Sequence, residues 1–248
     1  MYDPRDLDSP ERDRDDARAD LSRGGRAGGD EARDREDRSD DPRDVVTRGL
    51  DLPEREEREL VLVRDRSYEL NGPESRTLAT VGAFRVVRTA DLRDLADSKA
   101  MRHLRDQSLV KPVPLGGRDR DVVVLTREGR DVLQVRRRDD VREPRQVFHA
   151  GLRKPRELTH DAAVYRAYRR ASGRLRDKGA DVHRVVLDYE LKREYQEFLQ
   201  ACNRDRPDSD GRPNRTEEEV AGWAREHGLP YFDDHVHFPD VRIEYEDR

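Results

Sequence analysis

The chain has 248 residues, of which 33% are apolar and 43% charged, with a mean hydropathy of −1.15. Globular chains run at roughly 45–50% apolar and about 25% charged, and no stretch here approaches the roughly 18 apolar residues of a spanning helix, which excludes a helical membrane protein. The acidic, arginine-studded start lacks the basic flank and apolar run of a secretory signal. The single cysteine, Cys202, cannot form an internal disulfide, so the expectation is a soluble, cytoplasmic chain with no membrane partner.

Charge is unevenly spread. Residues 1–44 hold 13 Asp, 3 Glu and 10 Arg, a net charge of −6, which leaves +1 for the remainder. With few large apolar side chains (Tyr2, Leu7, Leu21) and a glycine-rich break at residues 24–29, burial cannot offset the ordering entropy of about 1–2 kcal/mol per residue. Residues 1–47 are therefore expected to be a disordered, solubilising tail, followed by a linker over 48–71. Of the 51 basic residues only five are Lys. That arginine bias is what a GC-rich genome produces, and it weakens the case for any single Arg as a phosphate contact.

From residue 72 the periodicity becomes informative. Leu78, Val81 and Phe84 predict an amphipathic helix over Glu74–Phe84. Val86-Val87 is a short extended segment, and Thr89 is placed to cap a helix over Ala90–Ala96. Asp97-Ser98 breaks the chain, with Ser98 as the cap of a second helix, Lys99–Gln107. There Leu104 faces inward and Lys99, Arg102, His103 and Arg105 face largely outward. Two helices across a tight turn form a helix-turn-helix. Leu109–Val113, carrying Lys111, then reads as a strand. Gly116-Gly117 supplies a turn, Arg118-Asp119-Arg120 a charged tip, and Val122–Leu125 a returning strand. Thr126 caps a last helix over residues 127–138. The string Leu125-Thr126-Arg127-Glu128-Gly129-Arg130 resembles the strand-to-helix junction after the wing of MarR-like regulators.

Residues 72–140 thus read as a winged-helix domain. Between Ser98 and Arg138 there are 11 Lys or Arg against 5 Asp or Glu. A helix in the major groove presents its outer side chains to base edges while wing arginines reach phosphates. Double-stranded DNA is the expected partner, with Lys99, Arg102, His103, Arg105, Lys111, Arg118 and Arg120 as contacts. The competing reading is a winged helix used for protein contacts. No heptad or apolar interface helix decides between a monomer and a homodimer.

After a basic connector the pattern shifts to an α/β region over 145–248. Thr159 is placed to cap a helix with Val164, Tyr168, Ala171 and Leu175 on one face, ended by Lys178-Gly179. Val182–Leu187 is a buried strand. Glu190–Asn203 is helical with Leu191, Tyr195, Phe198 and Cys202 on one stripe, and Thr216 with Glu219 spells a capping box. Val236–Tyr245 alternates as a strand. Two strands make a poor sheet alone, so a further strand is expected from a partner or from a downstream piece.

Leu125–Arg130, Leu158–Tyr168, Val185–Lys192 and Phe238–Tyr245 together resemble the replication-relaxation proteins of plasmids and integrative elements, over roughly residue 72 to the end. The resemblance implies DNA binding connected with mobile-element replication, transfer or transcriptional control. It also implies an α+β chain in which a winged helix precedes a partial, restriction-endonuclease-like α/β core. That core binds Mg²⁺ or Mn²⁺ through Pro-Asp followed by Asp/Glu-x-Lys on the next strand. Pro239-Asp240 matches the first half. The second half has no strand to occupy, and Glu190-x-Lys192 lies upstream on a predicted helix. One Asp cannot build an octahedral site, so catalysis by a metal-dependent nuclease needs a partner or a missing segment, and no cofactor is expected otherwise. Asp233, Asp234, His235, His237 and Asp240 crowd eight residues, with His235 and His237 placed on one strand face, a donor set that suits Zn²⁺ or Mn²⁺. Solvated loop residues are the plainer account of them. His160-Asp161 opens a helix, and Cys202 on an apolar stripe is a small hydrophobe. The chain contains no P-loop and no GxGxxG.

Overall fold

Alternating burial shapes the first sheet. In β1 (Glu59–Val63) Val61 and Val63 are buried while Leu60 and Leu62 face out, and in β2 (Arg66–Leu70) Tyr68 and Leu70 are buried. The two strands pair antiparallel, Val63 opposite Arg66, across a two-residue turn in which Arg64 takes φ 53°. The expected linker over 48–71 is therefore in large part a structured hairpin. Its strands were hard to read because Leu60 and Leu62 are apolar on the solvent side, which hides the period of two. The computed structural model describes residues 44–115, 121–138, 145–152, 158–203 and 213–247. Most of the expected tail lies outside them, but its last residues do not: Asp44–Val46 form a 3-10 turn with Val45 and Val46 buried.

Helix α1 (Gly72–Phe84) begins two residues earlier than its apolar periodicity indicates. Asn71 is the N-cap, its side chain accepting from the Glu74 N–H at 3.0 Å while Glu74 accepts from the Asn71 N–H at 3.2 Å. That reciprocal box satisfies two otherwise unpaired donors. The chain then forms β3 (Val87–Arg88) and a 3-10 turn (Thr89–Leu92), where a full helix over Ala90–Ala96 was expected. Helix α2 (Ser98–Asp106) follows, and its cap is Asp97, whose carboxylate accepts from the Ala100 N–H at 2.7 Å, not Ser98. Strands β4 (Val110–Val113) and β5 (Val122–Leu125) pair antiparallel, and β3 adds on the other side of β5, giving the order β3-β5-β4. All four β5 residues are buried, as befits a central strand.

Helix α3 (Arg127–Val135) is capped by Thr126, as expected: its hydroxyl accepts from the Gly129 N–H at 3.0 Å and reaches the Leu109 carbonyl at 3.0 Å. Gly129 lies so close to the Leu109 carbonyl and the Leu125 side chain that an added Cβ would collide with both. We expect Gly129→Ala to lower stability by about 1–3 kcal/mol in chemical denaturation, since backbone must move to admit the methyl. Gly173 meets nothing within 4 Å, and Gly173→Ala in the same assay should stabilise by about 0.5–1 kcal/mol through helix propensity.

The C-terminal half comprises α4 (Leu158–Asp177), β6 (Asp181–Leu187), α5 (Asp188–Gln200), α6 (Glu217–Glu226), the short pair β7 (Tyr231–Phe232) and β8 (His235–Val236), and β9 (Val241–Glu246). The buried face of α4 is centred on Leu158, Ala162, Tyr165, Tyr168 and Ser172, with Val164 and Leu175 at its margin. Thr159 lies inside the helix and does not cap it. The expected strand over Val236–Tyr245 is split between two sheets: β8 pairs with β7, β9 pairs with β6, and residues 237–240 between them are in no strand.

Strands β6 and β9 pair antiparallel with a register shift at His183. The shift explains why Val182 and Val185, three apart, both enter the main core, while Val186 faces a second cluster with Leu191, Trp223, Ala224 and Leu229. Helices on both faces thus support a two-stranded sheet that would be marginal alone. The main core runs without interruption from Val45 through Val61, Phe84, Leu104 and Leu125 to Tyr165 and Val185. Tyr165 and Tyr168, both fully buried, sit 5.0 and 4.8 Å from the Phe84 ring. The two segments read separately from the sequence therefore share one core, and the described residues belong to one compact unit. The fold is mixed α/β with small antiparallel sheets.

Candidate nucleic-acid interface

Helix α2 has one apolar and one polar side. Ala100 and Leu104 are buried and Met101 packs on the core, while Lys99, Arg102, Arg105 and Asp106 are exposed. Lys99 and Arg102, one turn apart, form no ion pair with a described residue. Arg105 pairs loosely with Asp106 at 3.7 Å. Lys111 is exposed on β4 and stands opposite Val124. Arg118 and Arg120, with the rest of the expected wing tip, lie outside the described residues.

His103 does not face outward as expected. Its Nδ1 lies 3.0 Å from Glu74 Oε1, and Glu74 is fully buried. The same carboxylate accepts from Arg58 at 2.7 and 3.3 Å. Isolating a carboxylate in the core costs several kcal/mol unless it is paired and hydrogen-bonded, and here Asn71, Arg58 and His103 supply those partners. Hydrogen bonding to Glu74 outweighs Arg58's own desolvation and keeps the guanidinium even more firmly protonated than usual. Gln107 completes the attachment of α2: its side-chain amide bonds both the N–H and the carbonyl of Glu69 on β2, each at 2.8 Å. The sequence reading missed this buried anchor, although Asn71 and Glu74 at the spacing of a capping box were its visible trace. Beside it, Arg58, Asn71, Leu95, Asp97 and Lys99 line a cleft of about 510 Å³.

The basic excess counted along the sequence is only partly on this surface. Arg136 pairs with Asp51, Arg138 with Glu54, and Arg137 bonds the Gln146 carbonyl and lies over the Phe148 ring. On α4, Arg166 grips Asp91 through two bonds of 2.7 and 2.9 Å, and Arg169 meets Asp94 at 2.9 Å. These arginines are tied to carboxylates and carbonyls of neighbouring elements, although Arg138, Arg166 and Arg169 keep 48%, 43% and 41% of their side-chain surface exposed.

The residues expected to form a metal site do not converge. His235 bonds the Asp233 carbonyl of its own turn, and His237 stacks on Phe232 in the loop after β8, so each ring is engaged locally. Asp240 instead meets His160 at 3.1 Å, with both side chains about 60% exposed. Glu190 and Lys192 lie on α5 and point to different partners, Glu190 to Arg184 and Lys192 to Asp188, each at 2.7 Å. No group of three or more His, Cys, Asp or Glu among the described residues is placed to hold a metal ion. Cys202 falls in the 3-10 turn after α5 and is half-buried. No helix is long and apolar enough to cross a membrane among the described residues. Comparison with protein-family models, curated proteins and solved structures finds no match.

Proposed function

We propose that the chain binds duplex DNA through a winged helix-turn-helix formed by α1 to α3 and the β3-β5-β4 sheet, with α2 as the recognition helix. The observation that carries this reading is the solvent face of α2, where Lys99 and Arg102 lack ionic partners among the described residues while the opposite face is locked by Glu74 and Gln107. A cationic helix face on a rigid support suits insertion into a major groove. Arg105 lies on the same side, and Lys111 flanks it on β4; Arg118 and Arg120, which lie outside the described residues, are the further expected contacts. His103 is a support for the helix and not a contact. A role in maintenance, transfer or control of a mobile element is part of the same proposal, and rests on the segment resemblance to replication-relaxation proteins alone. A metal-dependent nuclease draws no support from the dispersed Asp240, His235 and His237.

Fluorescence anisotropy of a labelled duplex, titrated across salt, tests the reading. Log K is expected to fall linearly with log salt, with a slope of about −0.9 per phosphate neutralised. Lys99→Ala/Arg102→Ala/Arg105→Ala should weaken binding by about tenfold or more, as expected for loss of base or phosphate contacts of about 1–3 kcal/mol each. Arg118→Ala/Arg120→Ala should flatten the salt slope. Unchanged affinity in both variants, or no binding at low salt, refutes the proposal.

A further inference from the structure

The two edges of the β1–β2 hairpin are finished differently. Glu69 on β2 gives its N–H and carbonyl to Gln107, on the side away from β1. A strand residue points both main-chain groups the same way, so Glu69 and its opposite, Leu60, form a non-hydrogen-bonded pair. Alternation makes Leu62 and Ser67 another such pair. The main-chain groups of Leu60 and Leu62 therefore point out from the far edge of β1, where no described residue bonds them. One edge of the hairpin is closed by Gln107, and among the described residues the other is open.

Proteins normally blunt an open edge with Lys, Pro, a bulge or a covering element. Strand β1 is Glu-Leu-Val-Leu-Val, pairs with β2 without a bulge, and leaves Leu60 63% and Leu62 61% exposed. Val135, 46% exposed, lies on α3 one turn beyond Asp131, which pairs with Arg64 at the hairpin turn. Half of the six large exposed hydrophobics among the described residues thus lie on or beside this hairpin.

We propose that β1 is a strand-addition surface on which a second copy of this chain pairs antiparallel, about a two-fold axis through Val61. The register selects that occupant. Centred on Val61, Leu60 stands opposite Leu62 of the second copy, and Leu62 opposite its Leu60. Both are residues whose main-chain groups point outward, so each pair exchanges two hydrogen bonds. All four leucines then fall on one face, and Val61 meets its own copy in the non-hydrogen-bonded position at the axis. Within this five-residue window the only charge is Glu59 at each end. A register shifted by one step in either direction, centred on Leu60 or on Leu62, instead places one leucine of each copy opposite Arg58 or Arg64, and leaves one leucine pair where the Val61 register makes two. A self-complementary strand on a closed two-fold is the ordinary route to a symmetric dimer. The assembly does not depend on DNA binding.

Sedimentation equilibrium of the full chain without DNA, from micromolar to near-millimolar concentration, is the test. The mass should rise from 28.9 kDa towards twice that value. Leu60→Lys/Leu62→Lys should stay monomeric and, at dilutions where the wild type is also monomeric, keep its unfolding midpoint, because both side chains are exposed. Hydrogen exchange should show the Leu60 and Leu62 amides gaining protection with concentration, while Val61, already bonded to Tyr68, does not change. A constant monomer mass overturns the proposal. So does a dimer that survives the double substitution or leaves those two amides unprotected.

Discussion

Replacing Glu74 by leucine is expected to lower the unfolding free energy by about 2–4 kcal/mol. Removing one member of a buried ionic group costs about 3–5 kcal/mol, because the remaining charge is left unpaired. The figure is reduced here because Arg58 and His103 retain about a third and a quarter of their side-chain surface in solvent. The reciprocal half of the α1 capping box is lost at the same time, since the carboxylate also accepts from the Asn71 N–H. Urea denaturation measures the total, and Glu74→Gln, which can keep the cap, should lose much less. The substitution also separates support from contact in the proposed interface. Glu74→Leu should weaken DNA binding through a loosened α2 although it touches no DNA, whereas Arg102→Ala should weaken binding and leave stability unchanged. Equal effects of the two on stability would mean that Glu74 does not position α2.

The second large effect concerns Glu190 and acid. Burial opposes ionisation of this carboxyl, but His149 and the Arg184 guanidinium, together with the Leu187 N–H, outweigh burial and hold its pKa below the ordinary carboxylate range. The distances are 2.7 Å to Arg184 and 3.9 Å to His149, and the Arg184 side chain is only 13% exposed. A carboxyl with a depressed folded-state pKa adds stability that is fully present above its unfolded value of about 4.3. That contribution is lost as pH falls through the lower folded value. Wild type should therefore lose stability below about pH 4.3 more steeply than Glu190→Gln, in thermal melts across pH. At neutral pH Glu190→Ala should cost about 3–5 kcal/mol, since Arg184 is left enclosed without its carboxylate. Identical acid profiles for wild type and Glu190→Gln would show that this pair does not govern acid stability.

Local chemistry was legible in the amino-acid sequence. Thr126 caps α3, and Thr216 with Glu219 forms the capping box of α6, with bonds of 3.2 and 2.8 Å. Such signals join residues three apart, so spacing alone reveals them. The apolar runs of β5 and β6 were equally plain, because burial leaves its period in the sequence; in β9 Val241 and Ile243 pack on the core, but Tyr245, expected on the same face, is 49% exposed. Helix α2, with Leu104 inward and Lys99, Arg102 and Arg105 outward, was legible for the same reason.

What only the tertiary structure decided are the pairings between residues distant along the chain. His103 reads as one more polar residue of an exposed face until Glu74, 29 residues away, meets it in the core. Asp240 reads as a metal ligand near His237 until it pairs with His160, 80 residues upstream. The hairpin over residues 59–70 escaped notice because its outer leucines erase the alternation that would announce it. Two segments that look like separate domains share a core because Phe84, Tyr165 and Tyr168 pack together. Periodicity states that a face is buried, but not against what. That choice belongs to the packing of the whole chain, where side-chain shape and the need to pair every buried charge select one arrangement.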